Sequence, residues 1–504
     1  MAEKVCAAAG AVPTMEQLLQ GCESELLHLS GAIQSFGAML RIDACTHKVT
    51  HISANVADYI GKSARSVLGW HVDHTGCLNS AMFMGLPKQP GKSLILHRVA
   101  ETSQARVDAL LIRGESSIIV ELEKNEAAAE LIPIHEFHRS LLNSPFSEDE
   151  LREHHMVLLN AFRSITGYDR VMIYCFQDDW SGEVIAEATS PALGSYLGLH
   201  FPASDIPEIA RNLYMLNPSR MIPDAAAEPV PVLSLDASPP DLTWSDLRSV
   251  SPVHLEYLRN MGVGASFSVP IRISGRLWGL VACHHLQPRL LTPDQRNSCV
   301  SLTNAYSLAL TSYLSSYRLR VIDSLDRRID KLLEAITQFA DPLDGIDSNS
   351  RSLMDVVSAK GFAMCINDDV VIAGDGPDPD GMAVIDGWFL NECKDAVFVS
   401  NHLEKWFSEW PEILSIASGL IAIKALSPRS GWVRFYWFRP AEPYEVTWAG
   451  NPNKPVVENA GVTRLSPRRS FEKWSEIKTG YSRPWSNEEK MVSAKFRNTL
   501  LRWL

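Results

Sequence analysis

Ser266-Phe-Ser-Val-Pro-Ile-Arg-Ile-Ser-Gly-Arg-Leu-Trp-Gly-Leu-Val-Ala-Cys-His-His285 is the stretch on which the reading of the fold turns. Its two alternating halves, 266–273 and 277–285, flank the small pair Ser274-Gly275, which suits a tight hairpin, so the stretch predicts two antiparallel strands. Side chains two apart on a strand share a face. Ser266 and Ser268 therefore look the same way, whereas the adjacent His284 and His285 cannot enter one cavity. This argues against a metal site built from both histidines and for a cavity floor of hydroxyls and one imidazole.

Working upstream, 170–177 and 182–189 alternate as well, which with the hairpin implies a mainly antiparallel sheet, and 148–165 reads as a helix. Residues 218–250, with Pro223, Pro229, Pro231, Pro239 and Pro240 and no clean periodicity, predict a long ordered loop rather than an element. Helix starts border it. In His200-Phe-Pro-Ala-Ser-Asp-Ile-Pro-Glu208, Pro202 and Pro207 fix the backbone ahead of a helix from about Glu208, so that a rigid turn presents Asp205; a plain helix cap by Ser204 or Asp205 is the alternative. Ser251-Pro252 opens a second helix in which His254, Tyr257, Leu258 and Met261 share one face and which Gly262 ends. A lone histidine on such a face is as readily a satisfied core residue. Arg220 and Arg248 flank the loop; converging on one cavity they would suit two carboxylates, and surface salt bridges are the alternative.

At 504 residues the chain is long enough for about three domains. Residues 1–21 read as an arm. A small mixed α/β unit follows, with strands at 37–43, 48–53, 94–98, 106–113 and 117–122. From 293 to 339 apolar residues recur every three or four positions, the pattern of a long helical spine. Residues 340–486, beyond it, hold eight of the 13 tryptophans, which fits a third core with a docking surface. Ser486-Asn-Glu-Glu489 is a capping box that starts a last helix, and this helix runs on apolar residues to Leu504, as expected of a piece continued by another module. With 47 basic against 59 acidic residues the net charge is −12, which offers no broad surface for nucleic acid or anionic lipid. Nine scattered cysteines form neither a disulfide framework nor a metal spacing and suit a reducing cytoplasm. No apolar run approaches the roughly 20 residues of a membrane span, and the start lacks the profile of a signal peptide.

Taken in order, Cys22-Glu-Ser-Glu with His28, Gly31-Ala-Ile-Gln34, Pro202-Ala-Ser-Asp-Ile-Pro207, Ser251-Pro-Val-His254, Trp278-Gly-Leu-Val-Ala-Cys-His284-His285, Trp448-Ala-Gly450, Pro467-Arg-Arg-Ser-Phe471 and Trp474-Ser-Glu476 resemble the photosensory core of a bacterial phytochrome. The resemblance covers nearly the whole chain and implies an α/β (α+β) fold of three mixed domains with antiparallel sheets and a long helical spine. These are a PAS-like domain at 22–130, a GAF chromophore domain at 131–318 and a PHY domain at 319–486 with a tongue at about 440–482. Residues 487–504 would begin an output-linking helix. It further implies that the N-terminal segment threads the 218–250 loop as a lasso, with Ile33 near the crossing.

For the site, the resemblance implies one biliverdin IXα per chain, linked as a thioether to Cys22; Val253, where plant and many cyanobacterial members carry the attaching Cys, favours biliverdin over a reduced bilin. The main-chain carbonyl of Asp205 and the ring of His254 would face the pyrrole nitrogens, and His284 the ring-D carbonyl. Arg220, Arg248, Ser251, Ser266 and Ser268 would hold the propionates. Met172, Tyr174, Phe201, Ile206, Pro207, Tyr214 and Tyr257 would line the pigment. Arg468, with Ser470, would make the signalling contact to Asp205, whose loss converts the tongue from hairpin to helix. The same resemblance implies a cytoplasmic homodimer that drives a kinase module and a response regulator and binds neither nucleic acid nor membrane. Ser35-Phe36 and Cys175 depart from the common pattern and bear on spectral tuning. The rivals are a tetrapyrrole-acting enzyme such as a bilin reductase, for which no GxGxxG or cluster-spaced cysteines are found, and a haem or small-ligand GAF sensor using His254 or His284.

Overall fold

The computed structural model describes residues 26–102, 105–125, 134–191, 193–340, 342–367, 369–427, 431–452, 456–459, 462–465, 468 and 470–503. Cys22, Pro467 and Arg469 lie outside them. The chain divides into two compact units, Met1–Tyr313 with Thr447–Trp474, and Leu314–Val446 with Ser475–Leu504.

Among the described residues the first unit holds two large sheets and a two-stranded one, Val456–Asn459 with Val462–Leu465. Of the large sheets, one has the order Ala32–Ile33, Val230–Ser234, Val49–Ser53, Gly37–Asp43, Ser117–Asn125, Arg106–Arg113, Ser93–Glu101, all antiparallel. The other runs Arg220–Ile222, Ala265–Ile273, Arg276–His285, Arg170–Phe176, Gly182–Thr189, His200–Phe201, again antiparallel. Beyond it Trp448 pairs in parallel with His200. The expected hairpin is present: Ser274 and Gly275 both take positive φ, 51° and 76°, the backbone a two-residue turn needs to match the twist of its strands. Helix Glu148–Thr166 covers one face of this second sheet, with Phe162 stacked on Phe267 at 6.4 Å between ring centres. The opposite face is left for the site.

The 218–250 stretch differs from its expected form. It contributes a strand to each sheet, Arg220–Ile222 and Val230–Ser234. One is three residues long and the other carries Pro231, so neither shows the periodicity that marks a strand. The rest is fastened both by an apolar cluster, in which Leu242 and Leu247 pack with Ile33, Met39, Ile112 and Ile119, and by hydrogen bonds. Leu242 N donates to His28 O at 2.8 Å and Gln34 N to Leu247 O at 2.7 Å, and the Gln34 amide reaches the carbonyls of Met221, Asp246 and Arg248. From the neighbouring sheet the fully buried Glu121 accepts from the Ser245 hydroxyl at 2.5 Å and from Leu247 N at 3.2 Å. Burial and the nearby Asp246 push the Glu121 carboxyl up to about 8.

The second unit is built on a five-stranded antiparallel sheet, Asp369–Gly374, Gly361–Ile366, Gly431–Arg439, Gly419–Ser427, Val397–Ser400. Phe435, Tyr436, Trp437 and Phe438 are all buried in its core. Trp406, Trp410 and Trp432 are among the exposed tryptophans of this unit. The capping box forms as read: Glu489 N donates to Ser486 Oγ at 3.2 Å and Ser486 N to Glu489 Oε2 at 2.8 Å, opening helix Asn487–Trp503. The spine is a single helix, Pro293–Ile336, 44 residues and so about 66 Å long at 1.5 Å per residue; it stops three residues short of the expected end. Among the described residues no helix is long and apolar enough to cross a membrane.

Candidate functional site

The register of the second sheet fixes the floor of the site, because directly opposed residues share a face. Arg220, Ser268, Ala282 and Met172 form one row across four strands, and Ser266 opposes His284 in the next. Tyr174 follows, two residues from Met172. These side chains line a cavity of about 240 Å³. Its roof is the turn Ala203–Asp205 with Ile206 and Pro207, helix Glu208–Leu216 and helix Pro252–Asn260, which add Tyr214, His254 and Tyr257. All fifteen residues expected to surround a ligand line this one cavity. Leu27 lines it too, a residue that sequence reasoning did not single out.

Alternation settles the histidines. His284 faces the cavity, whereas His285 turns away and pairs with Asp169 at 2.6 Å. Burial, with the Arg170 charge, pushes the His284 imidazole down to about 3, so it is neutral; its Nδ1 is buried without a partner. His254 stacks on Tyr257, ring centres 5.9 Å apart. Ser251 stands at the start of its helix, ahead of Pro252, but its hydroxyl makes no capping bond, so its expected capping role is not realised.

The two arginines form no surface salt bridges. Arg248 is 6% exposed and donates to the carbonyls of Leu242 and Thr243, each at 3.2 Å. Arg220 donates to the carbonyls of Asp246, Arg248 and Ser249. Burial pushes both guanidiniums down, and the adjacent Arg220 contributes to bringing Arg248 to about 9. The two guanidiniums thus repel one another, and although the Asp246 and Glu121 carboxyls act on both in the opposite sense, neither arginine is joined to a carboxylate in an ion pair. A ligand carrying carboxylates would relieve that repulsion. Ser268 Oγ is bonded to Tyr214 Oη at 2.7 Å.

Asp205 does not cap the helix that follows it, so the plain-cap alternative fails for this residue; Pro207 occupies the capping position. Its Oδ2 accepts from Tyr257 Oη at 3.0 Å and from Arg468, in an ion pair whose side chains are 3% and 2% exposed. Asp205 Oδ1 is buried without a partner. Arg468 also donates to the carbonyls of Ala449 and of Gly450, the latter at 3.3 Å. Gly450 has φ +82°, and a Cβ there would lie 2.0 Å from Ser470 O, which explains the glycine of the Trp448-Ala-Gly450 motif. Ser470 itself is exposed, and its hydroxyl accepts from Glu472 N.

Family models match this order of domains: a PAS fold at 22–125, a GAF domain at 156–310 and a phytochrome region at 325–504. The bacteriophytochrome of Xanthomonas campestris pv. campestris is 32% identical over 93% of this chain and 76% of its own length. The chain belongs to the phytochrome family. Cyanobacterial phytochrome B of Nostoc is 32% identical over 96% of the chain. The chain spans just under two thirds of this and the other cyanobacterial phytochromes it matches, 64–66% of their lengths. The crystal structure of a bacteriophytochrome from R. palustris superposes with a TM-score of 0.81 at 31% identity, covering 96% of this chain and 98% of that one. The phytochrome photosensory core module of Stigmatella aurantiaca gives 0.82 at 31% identity, covering 96% and 97%. The mixed, antiparallel architecture of this phytochrome chain is thus that of a PAS-GAF-PHY photosensory core.

Proposed function

We propose that this phytochrome core is the light-sensing part of a red/far-red photoreceptor and that the cavity holds one biliverdin IXα. The observation that carries the ligand is that two guanidiniums without an ion-pair partner, Arg220 and the buried Arg248, line the same cavity as a neutral imidazole, His284, whose Nδ1 has no partner. The donor set fits a molecule that carries two carboxylates and a carbonyl. Arg220 and Arg248, aided by Ser251, Ser266 and Ser268, would hold the propionates, and His284 would donate to the ring-D carbonyl. Asp205 and His254 would face the pyrroles, while Met172, Tyr174, Phe201, Ile206, Pro207, Tyr214 and Tyr257 exclude water. Biliverdin, when bound, supplies the absorbance and the light-driven rotation of its ring D. Attachment falls to Cys22: Leu27 lines the cavity, and the intervening chain reaches at most about 17 Å.

The switch we assign to the chain itself is the exchange of partners at Asp205. Arg468 and Tyr257 share one carboxylate oxygen, and movement of Tyr174 or Tyr214 would alter that sharing and release the segment bearing Arg468 and Ser470. The domain bounds we assign are 22–130, 131–318 and 319–486, with the tongue at about 440–482 and an output helix from 487. The Gln34 bonds on both sides of the loop support threading of the N-terminal segment through it. A cytoplasmic homodimer relaying to a kinase module and response regulator completes the proposal. Incubation with biliverdin followed by alternating red and far-red illumination tests it: a reversible difference spectrum is expected, and none would refute the reading.

A further inference from the structure

A second set of contacts reaches the Asp205 turn from outside the cavity. Trp180, in the short connection between strands Arg170–Phe176 and Gly182–Thr189, has φ +64°, a conformation that costs a bulky L-residue energy and is kept only where the surroundings enforce it. Its indole is 42% exposed, so burial does not explain the strain. What the conformation achieves is a stack: the Arg211 guanidinium lies 4.6 Å from the centre of the indole. Arg211 in turn donates to the carbonyl of Ile206 at 2.7 Å. Ile206 has φ −125° and ψ 84°, outside the regular wells, and directly follows Asp205.

The other end of the chain of contacts touches the cavity wall. Trp180 meets Phe176 edge-on at 5.8 Å, and Phe176 meets Tyr174 edge-on at 5.2 Å. The ring of Tyr174 lies over Gly182, the second residue after Trp180; a Cβ at Gly182 would sit 1.7 Å from Tyr174 Cζ. Neither Trp180 nor Arg211 lines the cavity. We infer that the Trp180–Arg211 stack is a positioning device that holds the Ile206 peptide, and with it the Asp205 turn, in register with Tyr174. It couples the cavity wall to Asp205 by a route separate from the Asp205–Arg468 pair. The light-dependent half of this inference rests on the photoreceptor reading above; the positioning half does not.

The test uses the full chain with Trp180→Leu, Trp180→Phe, Arg211→Gln and the Leu/Gln double variant. In the ligand-free protein, hydrogen exchange over residues 203–210 is expected to quicken about three-fold in Trp180→Leu and Arg211→Gln, the scale of an exposed cation–π contact, and to stay near the parent rate in Trp180→Phe. The double variant should exchange no faster than Arg211→Gln alone, because the indole acts only through the guanidinium. With biliverdin bound, the same two single variants should change the rate of thermal reversion by a similar factor, with Trp180→Phe restoring it. Unchanged exchange in Trp180→Leu, or additive effects in the double variant, would overturn the positioning role. Altered exchange with unaltered reversion would overturn the coupling. A parent protein that binds biliverdin without any reversible spectral change would instead refute the photoreceptor reading, and the exchange arm would still decide the stack.

Discussion

Arg468→Met removes the cation from a pair whose side chains are 2% and 3% exposed and replaces it with an unbranched apolar chain. Asp205 then keeps only Tyr257 Oη at 3.0 Å on Oδ2, with nothing on Oδ1. Stranding one partner of a buried ion pair costs about 3–5 kcal/mol, which is at least about 100-fold in an equilibrium constant. That cost falls on whatever holds residues 447–474 in place, so hydrogen exchange or limited proteolysis of this segment should report opening raised by about two orders of magnitude. Asp205→Asn should cost less, about 1–3 kcal/mol, since Arg468 retains the Ala449 and Gly450 carbonyls and a Phe471 ring 5.2 Å away. The double variant should be more stable than the sum of the two losses predicts. If Arg468→Met changed opening by less than about five-fold, or if the two losses simply added, the pair would not be what fastens the segment.

Three further outcomes are expected. Cys22→Ser should still take up biliverdin but release it on denaturation in acid; pigment that stays attached would remove Cys22 from the chemistry. Gly182→Ala must displace the Tyr174 ring, an overpacking cost of about 1–3 kcal/mol that thermal denaturation should show, together with a shifted bilin absorbance; an unshifted melting temperature would mean that the ring moves freely. His155, 7% exposed, is held down to about 4, chiefly by burial. Its folded-state value lies below the unfolded value of about 6.5, so the stability it contributes is intact above about pH 6.5 and drains as pH falls towards 4, by up to about 3 kcal/mol. His284 drains stability over an overlapping range. Denaturant titrations of His155→Leu should show a flatter slope between those pH values, and an unchanged slope would contradict the assignment.

Period-two alternation was enough to read the cavity floor, because Ser266, Ser268 and His284 owe their shared face to strand geometry alone. The roof was legible for a different reason: Pro202, Pro207 and Pro252 constrain the backbone so tightly that the turns they make hardly depend on context. The 218–250 stretch resisted because its strands form only by pairing with distant partners, Ser266–Ser268 and His51–Ser53, which no local pattern announces. Glu121 was missed for the same cause: an acid inside a strand reads as a solvent-facing residue until Ser245 and Leu247 are seen to meet it. Gly182 and Gly450 are cradles whose necessity appears only once Tyr174 and Ser470 are in place. Trp180 and Arg211 left no sequence signal, since their stack joins a hairpin turn to a helix across unrelated parts of the chain.

The hydrogen bonds from Gln34 to the loop span as many as 214 residues of sequence. At synthesis rates of roughly 5–20 residues per second, the ribosome needs about 10–40 s after making Gln34 before its partners exist. Until residues 230–234 follow, the Val49–Ser53 strand lacks the partner with which it later pairs along one edge. The emerging chain must be shielded or must leave that strand unformed. Either way, the bonds that Gln34 makes to the loop cannot be complete before residue 248 has been made.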